Sequence, residues 1–243
     1  QRRVDAVWKA MRAIDNFIKT YYSDGGCDEG PSYWGRAGAS LFDCLELLHS
    51  STGGAVDVYK DPLIRNMGAY IYRAHIAEDY FIDFADAPAR VAVPADLIHR
   101  WGRRMGDRNM TDFGAWAEAR KGVQGDVDDG SIARLLPALA NLGELKAASG
   151  RAPLVRDVWL DGIQVMAART KDGSAEGFYL AAKGGHNDES HNHNDVGNFI
   201  VYCDGKPVLV DAGVGTYTAK TFSDSRYDIW TMQSAYHNLP TIN

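Results

Sequence analysis

Near Gly150 the spacing of apolar residues changes from about 3.6 to 2, so one part of the chain reads as helix and the next as antiparallel strand. Before that point Val4, Val7, Trp8, Met11, Ile14, Ile18 and Tyr21 recur at three- and four-residue intervals. They predict one apolar helix face, ended by Asp24-Gly25-Gly26. A second stripe, Ala37, Leu41, Leu45 and Leu48, stops at Gly53-Gly54. A third begins after Asp61-Pro62, with proline at a tolerated first-turn position, and carries Leu63, Met67, Tyr70, Ile71 and Ala74. Helical pieces follow at Ala95–Met105, Asp112–Ala119 and Ser131–Ala147.

Beyond Gly150, Val155–Leu160 and Ile163–Arg169 flank Asp161-Gly162, while Val196–Cys203 and Pro207–Asp211 flank Asp204-Gly205-Lys206. Asp-Gly between alternating runs signals a hairpin, and Gly177–Lys183 supplies a further strand. Strands in succession with no helix between them predict a sheet packed on another sheet rather than a βαβ fold. The reading is α+β and multidomain, with a helical part at 1–150 and the start of an antiparallel β-sheet domain at 151–243.

Composition excludes several classes. Of 243 residues, 45% are apolar and 24% charged, an ordinary globular balance. No apolar run approaches the ~18 residues that cross a bilayer, so no membrane insertion is expected. The net charge of −6 gives no electrostatic reason to expect nucleic acid, and an anionic partner would need a locally basic cleft. Cys27, Cys44 and Cys203 are too few and too scattered for a disulfide scaffold. Gln1-Arg2-Arg3 leads into helix without the layout of a signal peptide, which suggests that processing or truncation removed the true start. No phosphate loop, G-x-S-x-G elbow or H-E-x-x-H helix occurs.

The densest polar run is Gly184 to Gly197, where His186, His191 and His193, three of the seven histidines, fall inside eight residues. On a strand His191 and His193 would share a face, with Asn192 and Asn194 on the other. Such a pair can begin a metal site that needs ligands from elsewhere, and Asp211 and His237 are the best candidates. A solvated loop is the plainer reading. A second cluster, Asp24-Gly25-Gly26-Cys27-Asp28-Glu29-Gly30-Pro31-Ser32-Tyr33-Trp34-Gly35-Arg36, sets aromatics and charges in a glycine-rich loop. It suits a sugar-facing surface, with Tyr33, Trp34 and Arg36 as binding residues. It equally suits turn glycines, an Asp28 cap and a core Trp34. In a third segment, Ala77–Ala87, residue pattern alone makes Tyr80 a half-buried packing residue.

Taken in order, His191-Asn192-His193-Asn194-Asp195-Val196-Gly197-Asn198-Phe199, Pro207–Gly213, Tyr236-His237-Asn238 and the Asp24–Trp34 run resemble the heparinase II/III-like polysaccharide lyases, a group that includes some alginate lyases. The resemblance implies an (α/α) toroid portion followed by an antiparallel β-sandwich portion, within a longer protein. It implies β-elimination at a uronic acid in a heparin-like, heparan-sulfate-like or alginate-like glycan. Tyr80 and His191 then take the proton-transfer roles, and Glu29 neutralises the sugar carboxylate. Asn194 and Arg226 join the substrate-binding residues, Tyr33 and Tyr227 being other tyrosines that could reach the cleft. His193, Asp211 and His237 hold a structural zinc. A periplasmic or secreted location and a possible homodimer follow from the same source. Cys27-Asp28 departs from relatives that carry His or Asn soon after the Asp-Gly pair. That departure motivates a catalytically impaired glycan-binding protein as one alternative; a metal-dependent glycan hydrolase is the other.

Overall fold

The computed structural model describes residues 2–122, 124–128 and 131–242. Helix α1 (Arg2–Thr20) leads to the short α2 (Pro31–Trp34), α3 (Gly38–Ser51) and α4 (Pro62–Arg73). The hairpin β1 (His75–Ala77) and β2 (Tyr80–Phe81) precedes α5 (Ala95–Met105), α6 (Arg108–Lys121), α7 (Gln124–Asp128) and α8 (Ile132–Ala147). Five strands follow, β3 (Asp157–Leu160), β4 (Val165–Arg169), β5 (Phe178–Lys183), β6 (Phe199–Cys203) and β7 (Lys206–Leu209). They form one antiparallel meander in chain order.

Local chemistry accounts for the boundaries. Asp61 caps α4 by accepting the Leu63 N–H at 2.8 Å, with Pro62 in the first turn. Asp204 and Gly205, both at positive φ, make the two-residue turn between β6 and β7. The inward face of the sheet alternates along β4, β5 and β6 as Val165, Ala167, Tyr179, Ala181, Ile200 and Tyr202. These residues share a single apolar core with Trp34, Phe42, Met67, Ile71, Phe81, Ile98 and Trp101 of the helical part.

Among the described residues the five-stranded sheet rests on helices and on the two-stranded β1–β2 sheet, and its outer face leaves Trp159, Phe178 and Leu180 exposed. Only the later part of the α1 stripe, Ile14, Ile18 and Tyr21, reaches the core, while Val4, Val7 and Trp8 remain exposed. The β1–β2 hairpin was not anticipated.

His75 shows how tightly the two halves join. Its ring lies among Phe81, Phe113 and Trp116, its Nε2 donates to the Glu78 carbonyl at 2.9 Å, and Arg169 of β4 reaches across to the His75 carbonyl at 3.0 Å. Desolvation, aided by Arg169 and Arg120, pushes the imidazole pKa down to about 4. In the unfolded chain the ring titrates near 6.5, so the stability conferred by a neutral His75 is complete above that pH and is lost as pH falls toward 4. Going from pH 7 to 4.5, the wild type should lose about 2 to 3 kcal/mol more stability than His75→Leu. Urea unfolding midpoints at the two pH values measure this, and equal losses in both proteins would refute it.

Candidate active site

Three loops and the segment after β7 converge at one edge of the sheet. The first, 24–30, is latched to the β3–β4 turn: Asp24 accepts the Gly26 N–H at 2.8 Å and the Gly162 N–H at 2.7 Å. It ends at Gly30, whose φ of +92° lies in glycine's territory and where an added Cβ would sit 2.5 Å from the Ala87 Cβ. That close approach sets Glu29 beside the second loop, 82–90, which carries Asp86. The third, 184–198, is anchored at its base by Lys183. This buried ammonium pairs with Asp195 at 2.8 Å and Glu189 at 2.7 Å. Burial alone would lower its pKa, but the two carboxylates outweigh that effect and raise it.

His191 lies on this third loop, not on a strand, and has φ +53°, a left-handed conformation uncommon for a residue with a side chain. Its Nδ1 meets Asp86 Oδ2, and its Nε2 stands 3.7 Å from Glu29 Oε1. The Tyr33 ring is 4.9 Å from the imidazole, centroid to centroid. Tyr217, after β7, donates its hydroxyl to the same Asp86 Oδ2 and lies 2.7 Å from the Tyr33 hydroxyl and 3.2 Å from His191 Nδ1. Asp86 is therefore a hub. Its other oxygen, Oδ1, meets His193 Nε2 at 2.9 Å and Arg226 Nη2 at 3.3 Å.

The electrostatics follow from these contacts. Burial works to raise the pKa of Asp86, but hydrogen bonds from His193, Tyr217 and His191 outweigh it and hold the carboxyl well below the ordinary range. An ionised Asp86 can only accept, so Nδ1 is the His191 nitrogen that donates to it, while Nε2 faces Glu29. Glu29 moves the other way: burial first, then Asp28 and Asp86, raise its pKa against the pull of His191. Tyr217 is raised well above a normal phenol by burial of its hydroxyl, then by Asp86 and Tyr33. It still exposes 37% of its surface, so a ligand can reach it.

Alongside lies a second cluster. His193, Asp211 and His237 each offer a ligand atom, all within 4.8 Å of one another. His237 Nδ1 is 2.7 Å from Asp211 Oδ2, which also accepts from Asn198. The buried nitrogens His193 Nδ1 and His237 Nε2 have no hydrogen-bond partner. A pair of orphaned imidazole nitrogens beside a carboxylate is a donor set suited to zinc.

The structure thus brings Glu29, Tyr33 and His191 together and sets His193, Asp211 and His237 beside them. Other sequence expectations are corrected. Tyr80 is directed elsewhere, accepting a hydrogen bond from Arg90 at 2.6 Å and packing edge-on against Tyr202, as a packing residue would. Trp34 is wholly buried, stacks on Trp101 and donates to the Met67 carbonyl at 2.6 Å, so it cannot touch a sugar. Arg226 spends its donors on the Asn192 and Thr221 carbonyls and Asp86, so it braces the loop and offers no free charge to a ligand. Arg36 is exposed just beyond α2, and Asn194 is half-buried with its N–H held by the Met232 carbonyl. Cys27 turns into the core, where burial pushes its pKa to about 12. Asp28 accepts the Glu29 N–H instead of capping α2, and Tyr227 accepts from the Asn192 amide. Asp86 and Tyr217 were not found from sequence: Asp86 is one acid among several near Tyr80, and Tyr217 lies on an aperiodic stretch after Gly213-Val214-Gly215.

A five-stranded β-meander resting on helices, with this polar cluster at its edge, is the arrangement that comparison with known proteins bears on. Residues 161–242 match the family model described as heparinase II/III-like, C-terminal, so the resemblance read from the motifs stands over that span. The fold is similar to that of a heparinase III at 15% identity, TM-score 0.63, over 93% of this chain and 31% of that one. It is also similar to a mutant of the heparan sulfate lyase HepC from Pedobacter heparinus at 17% identity, TM-score 0.56, over 92% and 31%. A further heparinase III structure aligns at 16% identity, TM-score 0.60, over 93% and 33%. No curated protein sequence matches the chain. The chain spans about a third of the length of these structures.

Proposed function

We propose that this chain carries the active site of a polysaccharide lyase that cleaves a uronate-containing glycan by β-elimination. The observation that carries the reading is the convergence of Glu29, His191 and Tyr217 around Asp86. Elimination requires the C5 proton to be removed, the C5 carboxylate to be neutralised and O4 to be protonated as it leaves. Nε2 of His191 takes the C5 proton. Electrons of the C5–H bond form the C4–C5 double bond, and the C4–O4 bond breaks. Tyr217, whose hydroxyl keeps its proton, supplies it to O4, with Tyr33 in reach to replace it. Glu29 borders the same cleft, and a substrate carboxylate brought against it would favour its protonated form, in which it donates to that carboxylate instead of repelling it.

In this reading Tyr217 takes the role that motif position assigns to Tyr80. Zinc held by His193, Asp211 and His237 would serve as a structural crosslink between the 184–198 loop and the segments at 211 and 237, the ion lowering the freedom of the loop that presents His191. The chain would be a toroid portion joined to a sandwich portion, the exposed Trp159, Phe178 and Leu180 forming the sheet face that a second layer covers. No helix among the described residues is long and apolar enough to cross a membrane. A glycan substrate places the enzyme in the periplasm or outside the cell.

The test is to incubate the protein with heparin, heparan sulfate, other glycosaminoglycans and alginate, and to follow ultraviolet absorbance of the unsaturated uronate. Absorbance growing with at least one glycan is the expected result. Saturated products that vanish on chelation and return with zinc would mean a metal-dependent hydrolase. Binding without any product, unchanged by His191→Ala, would mean a glycan-binding protein.

A further inference from the structure

The two clusters share one side chain. Asp86 gives Oδ2 to His191 and Tyr217 and Oδ1 to His193, and its carboxylate is fully buried. Because a carboxylate is rigid and planar, fixing one oxygen fixes the other. His193 uses Nε2 on Asp86, which leaves Nδ1 as the nitrogen available to a metal, and that nitrogen is buried without a partner. A ligating imidazole held through its other nitrogen by a carboxylate has its ring plane and tautomer set by that contact. Here the same contact continues through Asp86 to Nδ1 of His191.

Resting on the proposed function of His191, we infer that Asp86 is a positioning residue that couples the metal centre to His191. Occupancy of the His193, Asp211 and His237 cluster fixes the orientation and tautomer of His191, and the influence runs both ways. The path is short and made wholly of hydrogen bonds: metal-side nitrogen, imidazole of His193, carboxylate of Asp86, imidazole of His191. Arg226 steadies it, its Nη2 on Asp86 Oδ1 and its Nε on the carbonyl of Asn192, the residue between the two histidines. The strained φ of His191 adds to the need for such a hold, since a left-handed residue on a loop returns to ordinary backbone space unless its side chain is anchored.

The experiment is a zinc titration of the full chain with histidine side chains labelled by nitrogen-15, read in wild type and Asp86→Asn. Zinc alone is the probe and no glycan is present. In the wild type the ring nitrogen resonances of His191 should move with zinc in step with those of His193. In Asp86→Asn zinc affinity should fall 10- to 100-fold, the usual effect of losing such a supporting carboxylate. His191 should then no longer respond at saturating zinc. A direct effect of the cation through space would survive the substitution, so a full response of His191 in folded Asp86→Asn overturns the coupling. If that variant does not fold, the wild type alone decides, because His191 resonances that stay still while zinc binds refute it. These readouts need no turnover. Coupling with no product from any glycan would leave this inference standing and remove the lyase reading, and turnover with an unresponsive His191 would do the reverse.

Discussion

Tyr217→Phe is expected to lower kcat by about 10² to 10⁴, the range for losing a positioned general acid, while Tyr80→Phe stays within about twofold of wild type. The physical difference lies in where each hydroxyl is held. The Tyr217 oxygen sits between Asp86 and Tyr33 and beside His191, on a residue that remains partly exposed. The Tyr80 oxygen accepts from Arg90, whose guanidinium lies 4.7 Å over the same ring. Phenylalanine at 217 keeps the ring contacts to His191 and Phe222, so the fold and KM should change little and the loss should fall on kcat. Steady-state kinetics on whichever glycan the wild type cleaves would separate the two. If Tyr80→Phe loses the larger factor, the role belongs where motif position put it and the geometric assignment is wrong.

The proposed exchange of tyrosines bears on what sequence could and could not reveal. Helix ends and strand alternation were legible because they rest on local chemistry, as at Asp61-Pro62 and Asp204-Gly205. The His191 and His193 pair stood out because histidine is scarce and the spacing is short. Their meeting with Asp86 was hidden, since it depends on Gly30 and Ala87 approaching across a packing contact that no periodicity encodes. The loop that carries His191 to Asn194, the plainer of the two conformations the sequence allowed, has a related reason. His193, Asn192 and Asp195 each make one contact with a distant partner, and a loop can reach several of these at once where a pleated strand cannot. Alternation reports that one face of the sheet is buried without saying what buries it, so the helices under the inner face could not be read from the strands. Tyr80 is the instructive case: residue pattern alone gave a packing role, which the geometry matches, and the resemblance overrode it.

Trp34→Ala should cost about 3 to 5 kcal/mol of stability, a large share of the 5 to 15 kcal/mol that holds a typical domain. Trp34 lies in a stack with Trp101 at 5.9 Å, and Trp101 in turn stacks on Phe42 at 5.2 Å, all three rings wholly buried. Alanine would leave a cavity bordered on one side by Gly38, which packs directly on the indole and has no side chain to fill the space. Trp34→Phe separates packing from hydrogen bonding. It keeps most of the ring area but removes the indole hydrogen bond to the Met67 carbonyl, which retains the donor of its own helix, a loss of about 0.5 to 1.5 kcal/mol. A sugar platform would behave in the opposite way, since an exposed ring contributes little to folding and replacing it raises KM. Urea unfolding and KM measured on the same Trp34→Phe protein therefore decide between the two roles that the sequence left open. The buried stack predicts a lowered midpoint with KM unchanged. An unchanged midpoint with a raised KM would return Trp34 to the glycan-binding surface.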